Sequence, residues 1–163
     1  MVHEADSSWQ CDFGIVREDA VPKDIKRWKL REVGCALFAA NAFWKNRSSV
    51  EEFVQNVPIV ELLPGGQFTE RWHAWPAKER LVPKVFVRVS SFIELGKIVQ
   101  AGHAASVLPD LAEVDFDPKR YAHRSIPALR NRTLVLIANS RSLGWSGVGL
   151  GVAPKLAELL KLD

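Results

Sequence analysis

Cysteine is scarce in this chain. Of 163 residues only Cys11 and Cys35 carry a thiol, 24 positions apart, with neither CxxC spacing nor a disulfide framework. Reduced thiols in a cytoplasmic protein are the economical reading, and one buried disulfide is the alternative. Long apolar runs are missing too: the longest uncharged stretch, around Cys35 to Phe43, is far short of a bilayer span. The Met1 end carries Glu4 and Asp6 where a secretory signal needs a basic region and then an apolar one, so no such signal is expected. His3, His73, His103 and His123 have no paired metal spacing and HExxH is absent, so no metal ion and no cofactor is expected. Charge of one sign is also lacking. With 22 basic and 19 acidic residues the net charge is +3, too mild to argue for nucleic acid.

What is present is ordinary for a soluble globular protein: 47% apolar and 25% charged residues. Intrinsic disorder, collagen-like repetition and coiled coil are excluded. The length suits one domain or a small two-lobed one, able to bury roughly 68–70% of its unfolded surface. Trp9, Trp28, Trp44, Trp72, Trp75 and Trp145 make an aromatic-rich set, expected as core or lobe-contact anchors.

Along the chain, Asp12 to Val16 reads as a short buried strand. Lys23, Lys26, Arg27, Lys29 and Arg31 then form a basic stretch in which Trp28 and Leu30 alternate with cations. That pattern fits an interaction patch or, more simply, a half-exposed strand. Val33 to Ala40 is apolar enough for a central strand. Ser48 with Glu51 has capping-box spacing, and Val50, Phe53, Val54 and Val57 follow at helical spacing. Ile59 to Leu63 is a strand closed by Pro64-Gly65-Gly66. A helix is expected over Thr69 to Arg80, broken or kinked at Pro76. Val85, Val87 and Val89 give the clearest strand, and Ser91 with Glu94 repeats the capping box before Phe92, Leu95, Ile98 and Val99. Gly102 ends that helix. A strand over Ala104 to Leu108, an irregular charged region to about Asn131, a strand over Thr133 to Ala138 and a C-terminal helix with Val152, Leu156, Leu159 and Leu160 complete the chain. Strands alternating with helices argue for an α/β layered fold with a largely parallel sheet.

Enzyme templates fail. Gly144-Trp145-Ser146-Gly147-Val148 lacks the second glycine of a nucleophile elbow, and Gly147, Gly149 and Gly151 fit neither phosphate-loop pattern. Two strand-to-helix junctions survive: Pro64-Gly65-Gly66-Gln67-Phe68-Thr69 and Val89-Ser90-Ser91-Phe92. In α/β sheets ligands gather beyond the carboxyl ends of strands. Free N–H groups there can hold a carboxylate, or Thr69 and Ser91 can simply cap their own helices. A common ligand requires both junctions to face one place.

Two segments resemble a known family. Asp12-Phe13-Gly14-Ile15-Val16-Arg17 resembles the D-hydrophobic-G-I strand late in the first lobe of the LysR-type regulator effector domain. Lys97-Ile98-Val99-Gln100-Ala101-Gly102-His103-Ala104-Ala105-Ser106-Val107-Leu108-Pro109 resembles that family's run V-x-A-G-x-G-I-x-x-L-P. Here Ala104 stands at the second glycine and Ala105 where a branched aliphatic is usual. The match runs in the family's order from about residue 11 to the C-terminus.

The resemblance implies a type II periplasmic-binding-protein-like α/β fold, one lobe complete and the other partial. Residues 1–42 would be the remainder of lobe one, 43–136 lobe two, and 137–163 the return to lobe one. Carried over, Gly66, Gln67, Phe68, Thr69, Ser90, Ser91 and Phe92 correspond to ligand-facing loops of the second lobe. Arg17 would face the cleft and pair with an anion, or make a surface salt bridge. The resemblance also implies a cytoplasmic regulator with no catalytic residues and a small, anionic effector. Family members begin with a winged helix-turn-helix, so this chain is expected to be N-terminally truncated, not to bind DNA specifically by itself, and to self-associate through an unpaired sheet edge. A stand-alone small-anion binding module, or an α/β enzyme using Ser91, His103 or Arg17, are the competing readings.

Overall fold

The β-branched and alternating runs become strands, and the capped apolar stripes become helices. A computed structural model describes residues 12–45, 47, 49–129, 132–139 and 151–161. His3, Trp9, Cys11, Ser48 and the 144–149 glycine loop lie outside the described residues. In chain order the elements are β1 (Phe13–Arg17), β2 (Arg27–Val33), β3 (Cys35–Ala40), α1 (Asn41–Trp44), α2 (Val50–Asn56), β4 (Ile59–Leu62), α3 (Gln67–Lys78), β5 (Val85–Val89), α4 (Phe92–Gln100), β6 (Ser106–Pro109), β7 (Tyr121–Ser125), β8 (Arg132–Ala138) and α5 (Val152–Leu160). Two 3-10 turns, Glu18–Ala20 and Asp110–Asp115, lie between them. Among the described residues no helix is long and apolar enough to cross a membrane.

The chain divides into two compact units. Residues 1–32 and 132–163 form the first, and residues 33–131 the second. β3 thus falls in the second unit.

In the first unit β8 lies between β1 and β2, with β1 antiparallel to β8. Trp28 and Leu30 of β2 pack with Leu136 and with Ala157, Leu156 and Leu160 of α5. From Arg27 on, the basic stretch is therefore a half-exposed strand, while Lys23 and Lys26 precede it. Lys29 points to solvent and pairs with Glu32, while Arg27 donates to the carbonyls of Pro22 and Lys23.

The second unit is a three-layer α/β/α arrangement, as the alternation in β3 dictates. Cys35, Leu37 and Ala39 face Phe53, Val54, Trp72 and Trp75 of α2 and α3. Ala36 and Phe38 face Leu95 and Val99 of α4. Cys35 is a free, buried thiol, which burial pushes above its ordinary pKa against the pull of Arg71. β3 pairs with β6 and β7, β4 pairs with β5, and an isolated parallel bridge joins β4 to Ala105, with the Val60 N–H donating to the Ala105 carbonyl and the Ala105 N–H to the Pro58 carbonyl, both at 2.8 Å.

Four expectations need correction. The sheets are not largely parallel: β4–β5 and the Ile59–Ala105 bridge are parallel, but β3–β6, β3–β7 and β1–β8 are antiparallel. Periodicity marks a strand without its direction, and antiparallel neighbours need no crossover helix. The charged region before Asn131 holds β7, an edge strand whose polar residues suit its exposed position. The cap of α2 is Ser49, which accepts from the Glu52 N–H at 3.0 Å, one residue later than the expected Ser48. The third helix starts at Gln67, two residues before the expected Thr69, and carries Pro76 within it.

Phe53 is fully buried against β3 and the α3 tryptophans. Phe53→Ala is expected to cost about 3–5 kcal/mol of unfolding free energy, read as a lower urea midpoint at unchanged slope.

Candidate functional site

β4 and β5 run in parallel with Glu61 opposite Arg88 and Leu62 opposite Val89, so their carboxyl ends leave the sheet at one edge. The Leu63 N–H extends the ladder by donating to the Val89 carbonyl at 2.8 Å. Each strand then feeds a helix.

At the first corner Gly65 and Gly66 take φ of +132° and +102°, a region that side chains with a Cβ rarely adopt. Thr69 is buried. Its hydroxyl donates to the Gly66 carbonyl at 2.9 Å and accepts from the Gly65 N–H at 3.3 Å, which locks the turn. At the second corner Ser91 caps α4 by accepting from the Glu94 N–H at 3.2 Å. The capping box expected there is complete.

The two corners meet. The rings of Phe68 and Phe92 pack edge to face with centroids 4.9 Å apart, and Phe92 remains 40% exposed. Gly66 and Gln67 are exposed beside them. The structure thus brings together all seven second-unit residues singled out from the sequence. The hydroxyls, however, are already used. One Glu94 oxygen accepts from the N–H and the hydroxyl of both Ser90 and Ser91, at 2.9 to 3.1 Å. The Ser90 hydroxyl leads the set of bonds that hold the Glu94 carboxyl below its ordinary pKa. The donors that an incoming carboxylate would use therefore carry the chain's own. The Ser91 hydroxyl donates to the Glu94 carboxylate at 3.1 Å while accepting from the Glu94 N–H.

Arg17 belongs to the first unit. Its Nε lies 3.5 Å from Asp19, which also pairs with Arg132, so the surface salt-bridge alternative describes it.

Glu61 was missed. It is 4% exposed, yet it accepts from Trp72 Nε1 at 2.9 Å and from Arg88 Nε at 2.6 Å, and His73 Nε2 lies 3.2 Å away. Burial pulls its pKa up, but the hydrogen bonds from Trp72, Arg88 and His73 outweigh that and leave the carboxyl below the ordinary value. The available signal was a lone acid inside the apolar run Ile59 to Leu63. A groove of about 530 Å³ lies between α4 and the turn after β6, lined by Ile93, Lys97, Leu108, Leu111 and Phe116. Of the corner residues only Phe92 reaches it. No group of three His, Cys, Asp or Glu suited to a metal ion occurs among the described residues.

No protein-family model and no curated protein matches the sequence. Solved structures do match. CbnR, a LysR family transcriptional regulator, superposes with a TM-score of 0.58 at 15% identity, over 79% of this chain and 46% of that one. The effector binding domain of QuiR, in complex with shikimate, gives 0.59 at 14% identity, over 90% and 73%. The regulatory domain of CcmR from Synechocystis PCC6803, in complex with 2-PG, gives 0.62 at 12% identity, over 92% and 72%. The chain therefore has the periplasmic-binding-protein-like fold of LysR effector-binding domains. It spans about half the length of the full-length regulator CbnR.

Two measurements check the site. Gly66→Ala places a Cβ in open space but on a backbone it disfavours, and should lower stability by about 1–3 kcal/mol in chemical denaturation. Glu61 is more acidic folded than unfolded, so its contribution is complete above the ordinary glutamate pKa and is lost as pH falls through its lower folded value. Glu61→Gln should remove that part of the acid-side decline, seen as a flatter stability profile below about pH 4.3.

Proposed function

We propose that this chain is a small-molecule effector-sensing regulatory domain of a LysR-type transcription regulator, acting in the cytoplasm without a catalytic step. The observation that carries the reading is the Phe68–Phe92 contact, which joins two strand-to-helix corners at the carboxyl edge of a parallel strand pair. The fold likeness and the effector complexes of QuiR and CcmR support it. Gly66, Gln67, Phe68, Thr69, Ser90, Ser91 and Phe92 supply the second unit's share of the effector surface. The half-exposed Phe92 ring and the backbone of Gly66 and Gln67 are its open parts, while Thr69 and Ser91 hold the corners in shape. Effector binding shifts a two-state equilibrium by differential affinity, and DNA contact is left to a helix-turn-helix elsewhere in the regulator. An anionic effector reaches Ser90 and Ser91 only by replacing the Glu94 carboxylate.

A thermal-shift screen with small alicyclic and aromatic carboxylates and their neutral amides tests this. A true effector at 100 times its Kd should add about 2.7 kcal/mol of stability. Phe92→Ala should reduce that gain, and Glu94→Ala should enlarge it for carboxylates alone. Binding indifferent to both Phe68→Ala and Phe92→Ala would remove the corners from the effector site.

A further inference from the structure

Gly96 stands in the middle of α4, and its φ lies outside the left-handed region that calls for glycine. A Cβ built on it meets nothing within 4 Å. Neither backbone nor packing therefore requires glycine there, and alanine would favour the helix. The room beside Gly96 belongs to the groove of about 530 Å³ between α4 and the 3-10 turn Asp110–Asp115. That volume falls within the roughly 300–1,000 Å³ of small-molecule sites. Ile93, Leu108, Leu111 and Phe116 make its lining apolar, and Ile93 is left 71% exposed.

Two charged side chains line the same groove, Lys97 on α4 and Asp115 at the end of the turn. Gln100 Nε2 donates to the Asp115 carbonyl at 2.9 Å, which ties the turn to α4. Lys97 stands one helical turn before Gln100 on the same face, so base and acid flank one short stretch of the groove. The Lys97 ammonium and the Asp115 carboxylate make no hydrogen bond or ion pair among the described residues. The other acids of α4 and the turn are engaged: Glu94 with Ser90 and Ser91, Asp110 with the Gly34 N–H, and Glu113 beside His123.

We propose that this groove binds a small apolar zwitterion, a free α-amino acid with a hydrophobic side chain. Its carboxylate pairs with Lys97, its ammonium with Asp115, and its side chain fills the room that Gly96 leaves. A ligand of one charge would answer one of these groups and meet the like charge of the other, and a neutral ligand would answer neither. The site is distinct from the effector surface proposed above, with only Phe92 common to both.

Amide NMR of the 163-residue protein, titrated with L-phenylalanine, its amide and its N-acetyl derivative, tests it. L-phenylalanine should move the Gly96, Lys97 and Asp115 amides and saturate at about tenfold lower concentration than either derivative. Lys97→Gln should bring L-phenylalanine down to the level of its amide, and Asp115→Asn to that of the N-acetyl form. Gly96→Leu fills the groove from a helix position that tolerates a side chain. It should weaken L-phenylalanine about tenfold or more while leaving the melting temperature at or above that of the parent. Gln67→Ala, at the corners, should leave this binding unchanged, which separates the fate of this site from that of the effector surface. No shift with L-phenylalanine, derivatives that bind as tightly as the free amino acid, or binding untouched by Gly96→Leu would overturn the proposal. So would a monomer–dimer equilibrium in sedimentation that Gly96→Leu abolishes, since a second copy would then be the occupant.

Discussion

A charge placed inside an apolar strand must be answered by its neighbours, and in this protein the answer organises the second unit. Glu61 sits among Ile59, Val60 and Leu62, where an unpaired carboxylate would be far costlier than any single packing contact. Its compensation comes from two directions. Trp72 and His73 descend from α3, and Arg88 reaches across from β5. The three elements it ties are those that end or begin at the corners. Leu63 to Thr69 and Ser90 to Phe92 therefore stand on a base fixed in three directions.

The corners show how far polar groups at a helix start can satisfy themselves. Thr69 closes the glycine turn and Ser91 closes α4, so each hydroxyl does what a cap does. Capping holds at both corners, and the Phe68–Phe92 contact sets the corners side by side. What remains open is largely aromatic and backbone surface. The Glu94 carboxylate occupies the donors of Ser90 and Ser91.

Legibility followed distance along the chain. α4 with its cap, β5 and α5 were readable because their signals lie within a turn or a few alternations. The α2 cap was off by one because two serine–glutamate pairs overlap, Ser48 with Glu51 and Ser49 with Glu52, and burial of Phe53 and Val54 settles the phase. Glu61 showed only as a lone acid in an apolar run, because its partners lie 11 to 27 residues away and declare themselves only through pairing register. β7 was hidden for a related reason: its partner β3 lies far earlier in the chain, and its own residues alternate weakly. The side-by-side placement of the corners depends on the parallel β4–β5 register and the phenylalanine contact, and neither is a local signal.

The division into units has a consequence for how the chain acquires its shape during synthesis. Residues 33–131 are continuous, so that body can close as soon as its last residue clears the ribosome. The other body cannot. β8 lies between β1 and β2, so the early strands wait for a middle partner made about a hundred residues later. Until then Trp28, Leu30 and Phe13 lack their cover, and this interval is when a nascent chain most needs shielding by a chaperone.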